Sequence, residues 1–175
     1  LAEDPDSQAA QDGLAAVERQ LALAEEYAKA QQAISQEQWD EALRILEAIA
    51  EQEPDYKDTQ AKQELVEERQ QLGEAFANAE KAFDAGDWQE AMTIYEALRS
   101  VDTAYQKQDV KEHLFQSYLN QGIHLVQSTK GDSYAVVEAQ GLYQKALTMQ
   151  PLNGHALKEM ALANKYAEGQ SRLAQ

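Results

Sequence analysis

The chain has 175 residues, the length of one domain or one continuous array of repeats, and carries 15 Lys+Arg against 31 Asp+Glu for a formal net charge of −16. Nucleic acid is excluded as an expected partner, because phosphate contact needs clustered cations, and direct contact with an anionic membrane surface is disfavoured for the same reason. There is no Cys, hence no disulfide framework, thiolate metal site or Cys nucleophile, and the 3 Pro and 8 Gly are few for a chain rich in Ala, Gln, Glu and Leu.

In chain order, residues 1–7 (LAEDPDS) are polar and acidic, unlike a signal peptide, and read as a disordered or frayed terminus. Asp4 and Asp6 could at most hold a divalent cation loosely. Residue 1 is Leu rather than Met, so the chain is expected to be a processed product or a piece of a larger protein, with any membrane anchor lying outside these residues. No apolar run approaches the ~18–20 residues of a membrane span.

Helices are predicted at about 8–35, 37–52, 55–84, 87–101, 104–128, 133–149 and 152–172. Trp39, Ala42, Leu43, Leu46, Ile49 and Ala50 form the apolar stripe of a half-buried helix, and Trp88, Ala91, Met92, Tyr95 and Leu98 form another. Pro54-Asp55 should stop one helix and cap the next. Turns are expected at residues 85–87 and 130–133, with Asp87 and Ser133 as caps, and Pro151 should mark the last turn. No stretch alternates with period two, so no sheet is expected.

The stripes repeat. Trp39, Ala42 and Leu43 recur as Trp88, Ala91 and Met92, a shift of 49 (88 − 39). Leu23/Leu72, Tyr27/Phe76, Tyr56/Tyr105, Leu65/Leu114 and Gly73/Gly122 keep the same offset. A third copy at a shift of 48 maps Ala91 to Ala139 and Tyr95 to Tyr143. The units are residues 8–53, 54–102 and 103–150, and residues 151–173 read as a capping helix whose apolar face is Leu157, Met160, Ala161 and Tyr166. Helix pairs apolar on both sides cannot bury both alone, so neighbours must cover one another. Trp39 and Trp88, one turn before the small residues, should plug each pair.

The second helix of each unit resembles that of the tetratricopeptide repeat, a helical hairpin of about 34 residues. The residues carrying the likeness are Ala42, Leu46 and Pro54, then Ala91 and Tyr95, then Ala139, Tyr143, Ala146 and Pro151. The first-helix signature appears as Leu72-Gly73 with Phe76, and again at Gly122 and Leu125. Ile49, Leu98 and Thr103 depart from the pattern, and the units are about 15 residues longer than the family's. The first helices admit two phasings, with small contact residues at Ala24 and Gly73 or at Ala30, Ala79 and Ala82. The resemblance implies an all-α, right-handed helical-hairpin solenoid of three long pairs plus the capping helix, over residues 8–175.

By the same resemblance, the first helices line a concave groove that takes a peptide or partner helix. The candidate positions are Tyr27, Gln31 and Ile34, then Phe76, Glu80 and Phe83, then Leu119 and Ile123, each of which ordinary inter-helix packing would equally explain. Family members that clamp acidic tails place Lys, Arg and Asn there. Here Tyr27, Gln31, Phe76, Glu80 and Asp84 stand instead, so a basic or apolar segment is the expected partner.

No catalytic constellation is legible. His113 and His124 lie 11 residues apart, about 16 Å along a helix, too far to share a metal ion. Glu25-Glu26 and Glu67-Glu68 are adjacent and point about 100° apart on a helix. No Gly-rich phosphate loop or nucleophile elbow occurs. The expected function is non-catalytic recognition or scaffolding without metal or cofactor. The alternative is self-association as a homodimer through the last helix or the groove. The regular repeats resemble bacterial proteins, and the compartment, cytoplasmic or extracytoplasmic, stays open. Residues 1–90 hold 23 acidic and 7 basic side chains and residues 91–175 hold 8 and 8, so all the excess charge is in the first half. That half is either a solvated surface or a patch that steers a basic partner.

Overall fold

The computed structural model describes residues 8–130 and 132–173, so the expectations for residues 1–7 and for Gly131 within its turn lie outside the described residues. Among the described residues there are seven helices and no strand: α1 (Gln8–Ser35), α2 (Trp39–Gln52), α3 (Thr59–Ala85), α4 (Trp88–Val101), α5 (Lys107–Ser128), α6 (Ser133–Met149) and α7 (Gly154–Leu173). The chain is all-α. It forms two compact units, Leu1–Gln71 and Leu72–Gln175, which divide within α3.

In the first unit, α1 and α2 fold back on one another around a short turn. The core is Leu23, Tyr27, Ala30 and Ala33 from α1 with Ala42, Ile45, Leu46 and Ile49 from α2, joined by Tyr56 and Val66. Ile34, Trp39 and Leu43 pack against it at the rim. Each large apolar side chain buried this way contributes about 1.5–3 kcal/mol. The first turns of α1 lie outside this core, and Leu14, Val17 and Leu21 are exposed.

In the second unit, α4 packs on α5, α5 on α6 and α6 on α7. Small residues set the spacing. Ala79, Ala91, Ala139 and Ala146 are fully buried, beside Tyr95 and Tyr143. At Gly122 the helices approach so closely that a Cβ would stand 2.5 Å from the Tyr143 ring. The inner face of α7 is Ala156, Met160, Ala163 and Ala167. Of the apolar face expected for this helix, only Met160 turns inward, while Leu157 and Tyr166 are exposed.

The 49-residue repeat recurs in hydrogen bonds. Gln38 N–H donates to the Ala33 carbonyl at 2.9 Å, and Asp87 N–H donates to Ala82 at the same distance. After the second helices, Glu53, Asp102 and Gln150 donate back to Ile49, Leu98 and Ala146 at 2.9, 3.0 and 2.9 Å. Left-handed backbone recurs too, at Glu37 (φ 56°) and Gly86 (φ 77°), and at Lys57 (φ 47°) and Gln106 (φ 41°). The first helices use the phasing with Ala30, Ala79 and Ala82 buried, while Ala24 and Gly73 are only half-buried.

Several local expectations are corrected. α3 and α5 begin at Thr59 and Lys107, not at 55 and 104. Before each start, Tyr56 and Tyr105 donate their N–H to Glu53 and Asp102, which turns the tyrosine towards the core. The next residue is then left-handed, a conformation no helix of L-residues continues. Asp55 therefore caps nothing at the start of α3, because the helix opens four residues later. Asp87 caps α4, its carboxylate accepting from Glu90 N–H. At α6 the cap is Asp132, which accepts from Tyr134 and Ala135 N–H, and Ser133 is the first helical residue. Leu65 is 39% exposed where its repeat mate Leu114 is fully buried, and the neighbouring Val66 takes the core position.

Candidate functional site

The candidate residues fall into both units. In the first, Tyr27 is buried with its ring edge-on to Tyr56, centroids 5.8 Å apart. Its hydroxyl donates to the Asp58 carboxylate. The Lys57 ammonium stands 4.4 Å from its ring centroid and that of Lys62 5.8 Å, a cation–π arrangement. Burial and the Asp58 hydrogen bond push the Tyr27 hydroxyl's pKa above the ordinary tyrosine value, and the same hydrogen bond is the main cause holding the Asp58 carboxyl below its ordinary value. Ile34 is half-buried against the core, and Gln31 is exposed on α1.

In the second unit, Phe76, Glu80 and Phe83 follow one another on α3 at helical spacing, and α4 and α5 bring Tyr95 and His113 to them. The Tyr95 hydroxyl donates to Glu80 Oε1. His113 Nδ1 lies 2.6 Å from the same oxygen and 3.3 Å from the Tyr95 hydroxyl. With Glu80 an acceptor, Nδ1 carries the hydrogen. The Phe83 ring stacks on the imidazole, centroids 4.5 Å apart and planes at 19°, and meets Trp88 edge-on. Phe76 stands edge-on to Tyr95 and Tyr105. The Phe76–Tyr105 pair repeats Tyr27–Tyr56 at the 49-residue offset, with interplanar angles of 75° and 71°.

Glu80 thus ties three helices together. Burial pushes the ionisation of Tyr95 well above the ordinary tyrosine range, with the Glu80 hydrogen bond and the Glu80 and Asp84 charges acting the same way. Leu119 is buried in the core, and Ile123 packs against it. Of the eight candidates, then, Gln31 alone is exposed, and the others take part in packing within their units. Both tryptophans are half-buried, Trp39 against its core and Trp88 against Phe83.

A different set of side chains lines a cavity of about 530 Å³ in the second unit, formed by the end of α4, the turn after it, the start of α5 and the end of α6. Its polar residues include Arg99, Lys107, Lys111, Lys145, Tyr105 and Tyr118. The Lys145 ammonium pairs with Glu96 at 2.8 Å and stands 5.0 Å from the Tyr118 ring centroid, while the Tyr118 hydroxyl donates to the same carboxylate. Burial opposes ionisation of Glu96, but the hydrogen bonds from Lys145 and Tyr118 and the Arg99 charge together hold its carboxyl below the usual range. Burial, then Glu96, drives the Tyr118 hydroxyl up. The sequence carried one signal of this cavity. Residues 91–175 hold 8 basic side chains against 8 acidic, in a chain otherwise far to the acidic side. Which of those cations share a surface is a tertiary fact.

Among the described residues, no three His, Asp or Glu side chains converge as a metal site requires, and no helix is long and apolar enough to cross a membrane. Comparison of the chain with protein-family models, with characterised proteins and with solved structures found no match.

Proposed function

We propose that this chain is a non-catalytic recognition module, a lengthened tetratricopeptide-like solenoid that binds a peptide or partner helix. The observation that carries this reading is the repetition of one turn in two hairpins: the Gln38→Ala33 bond recurs as Asp87→Ala82, with a left-handed residue before each second helix. Evolution by repetition of a hairpin serves extended binding surfaces, since each copy adds area rather than a new site. The side chains that carry reactive groups, Glu80, His113 and Tyr95, are engaged with one another, which suits packing rather than turnover. Selection of a random peptide display library on the immobilised intact chain tests the reading. Enrichment of peptides sharing a motif supports it, and the absence of any enrichment over bare matrix overturns it.

A second reading is a homodimer through α7. Leu162 and Tyr166, one turn apart on that helix, are 50% and 44% exposed, an apolar strip of the kind that pairs. Light scattering across protein concentration separates the two. A constant monomer mass removes the dimer, and a mass that doubles and survives high salt favours it.

A further inference from the structure

Four of the eight basic residues of positions 91–175 line a single cavity at the ends of α4 and α6 and the start of α5: Arg99, Lys107, Lys111 and Lys145. On a chain of net charge −16 this is a local reversal of sign. Lys145 is held in place by Glu96 and the Tyr118 ring. Among the described residues, the side chains of Arg99, Lys107 and Lys111 make no ion pair, and all three are exposed.

Three helix ends meet at the cavity, the N-terminus of α5 and the C-termini of α4 and α6. The residue before α5, Gln106, is left-handed and its side chain caps nothing, and the first turn of that 22-residue helix carries Asp109 between Lys107 and Lys111. At the C-terminal ends of α4 and α6, whose partial charge is negative, one carbonyl each, Leu98 and Ala146, accepts an N–H, from Asp102 and Gln150. Two of the nearby carboxylates, Glu112 and Asp102, are engaged in hydrogen bonds, and a third, Asp109, stands in the first turn of α5. Both oxygens of Glu112 accept, from Gln116 at 3.0 Å and Gln150 at 2.9 Å, and Asp102 accepts from Ala104 and Tyr105 N–H.

We infer that this cavity binds an acidic peptide segment, successive Asp or Glu side chains of an extended chain meeting Arg99, Lys107 and Lys111. The cations are spread along three element ends and are mostly lysines, point charges on flexible stems, rather than a compact cradle of the kind that grips one phosphate. A volume of about 530 Å³, with tyrosine rings in the wall, suits several residues of chain and their apolar stems. The expectation of a basic or apolar partner was drawn from the first-helix positions. This surface lies elsewhere and takes the opposite charge. The inference shares with the proposed function only the premise that the ligand is a peptide.

The test is fluorescence anisotropy on the intact chain with labelled hexaglutamate and hexalysine, and inorganic phosphate as competitor. Hexaglutamate should bind more tightly than hexalysine and release as salt rises. Lys107→Glu with Lys111→Glu should weaken it about tenfold with the helical circular dichroism unchanged, both side chains being exposed. Arg99→Gln should weaken it less. Equal or tighter binding of hexalysine, or acidic binding untouched by the double reversal, overturns the inference. Displacement by phosphate at equal concentration would show a simple anion site and also overturn it. Failure of hexaglutamate while display selection enriches other peptides removes this site and leaves the recognition reading standing.

Discussion

At the residue scale, two glycines show how context reverses the sign of one substitution. Both Gly122 and Gly141 sit inside helices, where alanine is favoured by about 1 kcal/mol. Around Gly141 nothing lies within 4 Å of a new Cβ, so Gly141→Ala should stabilise the protein by about 0.5–1 kcal/mol. At Gly122 the Cβ would meet Tyr143 Cε1 at 2.5 Å, and that ring, 1% exposed, has no room to retreat. Overpacking of this kind costs about 1–3 kcal/mol and outweighs the helix gain, so Gly122→Ala should lower the midpoint of thermal unfolding. The buried tyrosines set the alkaline limit. Burial, then the Glu159 charge, pushes the Tyr143 hydroxyl up to about 12. A folded value above the unfolded one means the stabilisation is complete below pH ~10 and is lost as pH climbs towards ~12. Burial raises Tyr95 and Tyr118 in the same direction. Tyrosinate absorbance should therefore lag, then finish together with the loss of helical circular dichroism. Full reversible titration near pH 10 with the helices intact would contradict this.

At the element scale, the two equivalent hairpin turns differ in quality. Gln38 and Asp87 have the same backbone, φ −85°, ψ 69° against φ −82°, ψ 72°. Asp87 caps its helix and Gln38 does not. Gly86 holds the left-handed position at no steric cost, whereas Glu37 must be forced there. Replacing Glu37→Gly and Gln38→Asp together gives the first turn the chemistry of the second without changing net charge. The pair should add about 1–2 kcal/mol, measured by denaturant unfolding of the intact chain. The reverse change, Gly86→Ala, should destabilise. Helix existence was legible from the stripes and the turns, and the core alanines of the second helices from the repeat. The late starts of α3 and α5 were not, because they depend on Tyr56 and Tyr105 turning inward. Only Lys57 among residues 55–58 is a strong helix former, and the inward turn of Tyr56 sets the late start.

At the scale of the whole molecule, charge and burial act separately. The excess negative charge of residues 1–90, 23 acidic against 7 basic, opposes compaction through self-repulsion. Raising salt from about 0.01 M to about 0.15 M shortens the screening length from roughly 30 Å to 8 Å, and should raise the unfolding midpoint. An unchanged or falling midpoint would mean that ion pairs such as Lys145–Glu96 and Arg44–Glu41 outweigh the repulsion. The amino-acid order by itself determined the all-α class, the helix count and the repeat offset, since all three depend on spacing along one chain. It also marked the residues apolar enough to be buried. Only the tertiary structure decided which phase the first helices present, which of Phe76, Glu80 and Phe83 are engaged with Tyr95 and His113, and that Arg99, Lys107, Lys111 and Lys145 face one cavity. Periodicity shows which side of a helix is apolar. The neighbour that covers that side, and the cations brought together beyond it, follow from contacts between residues distant in sequence.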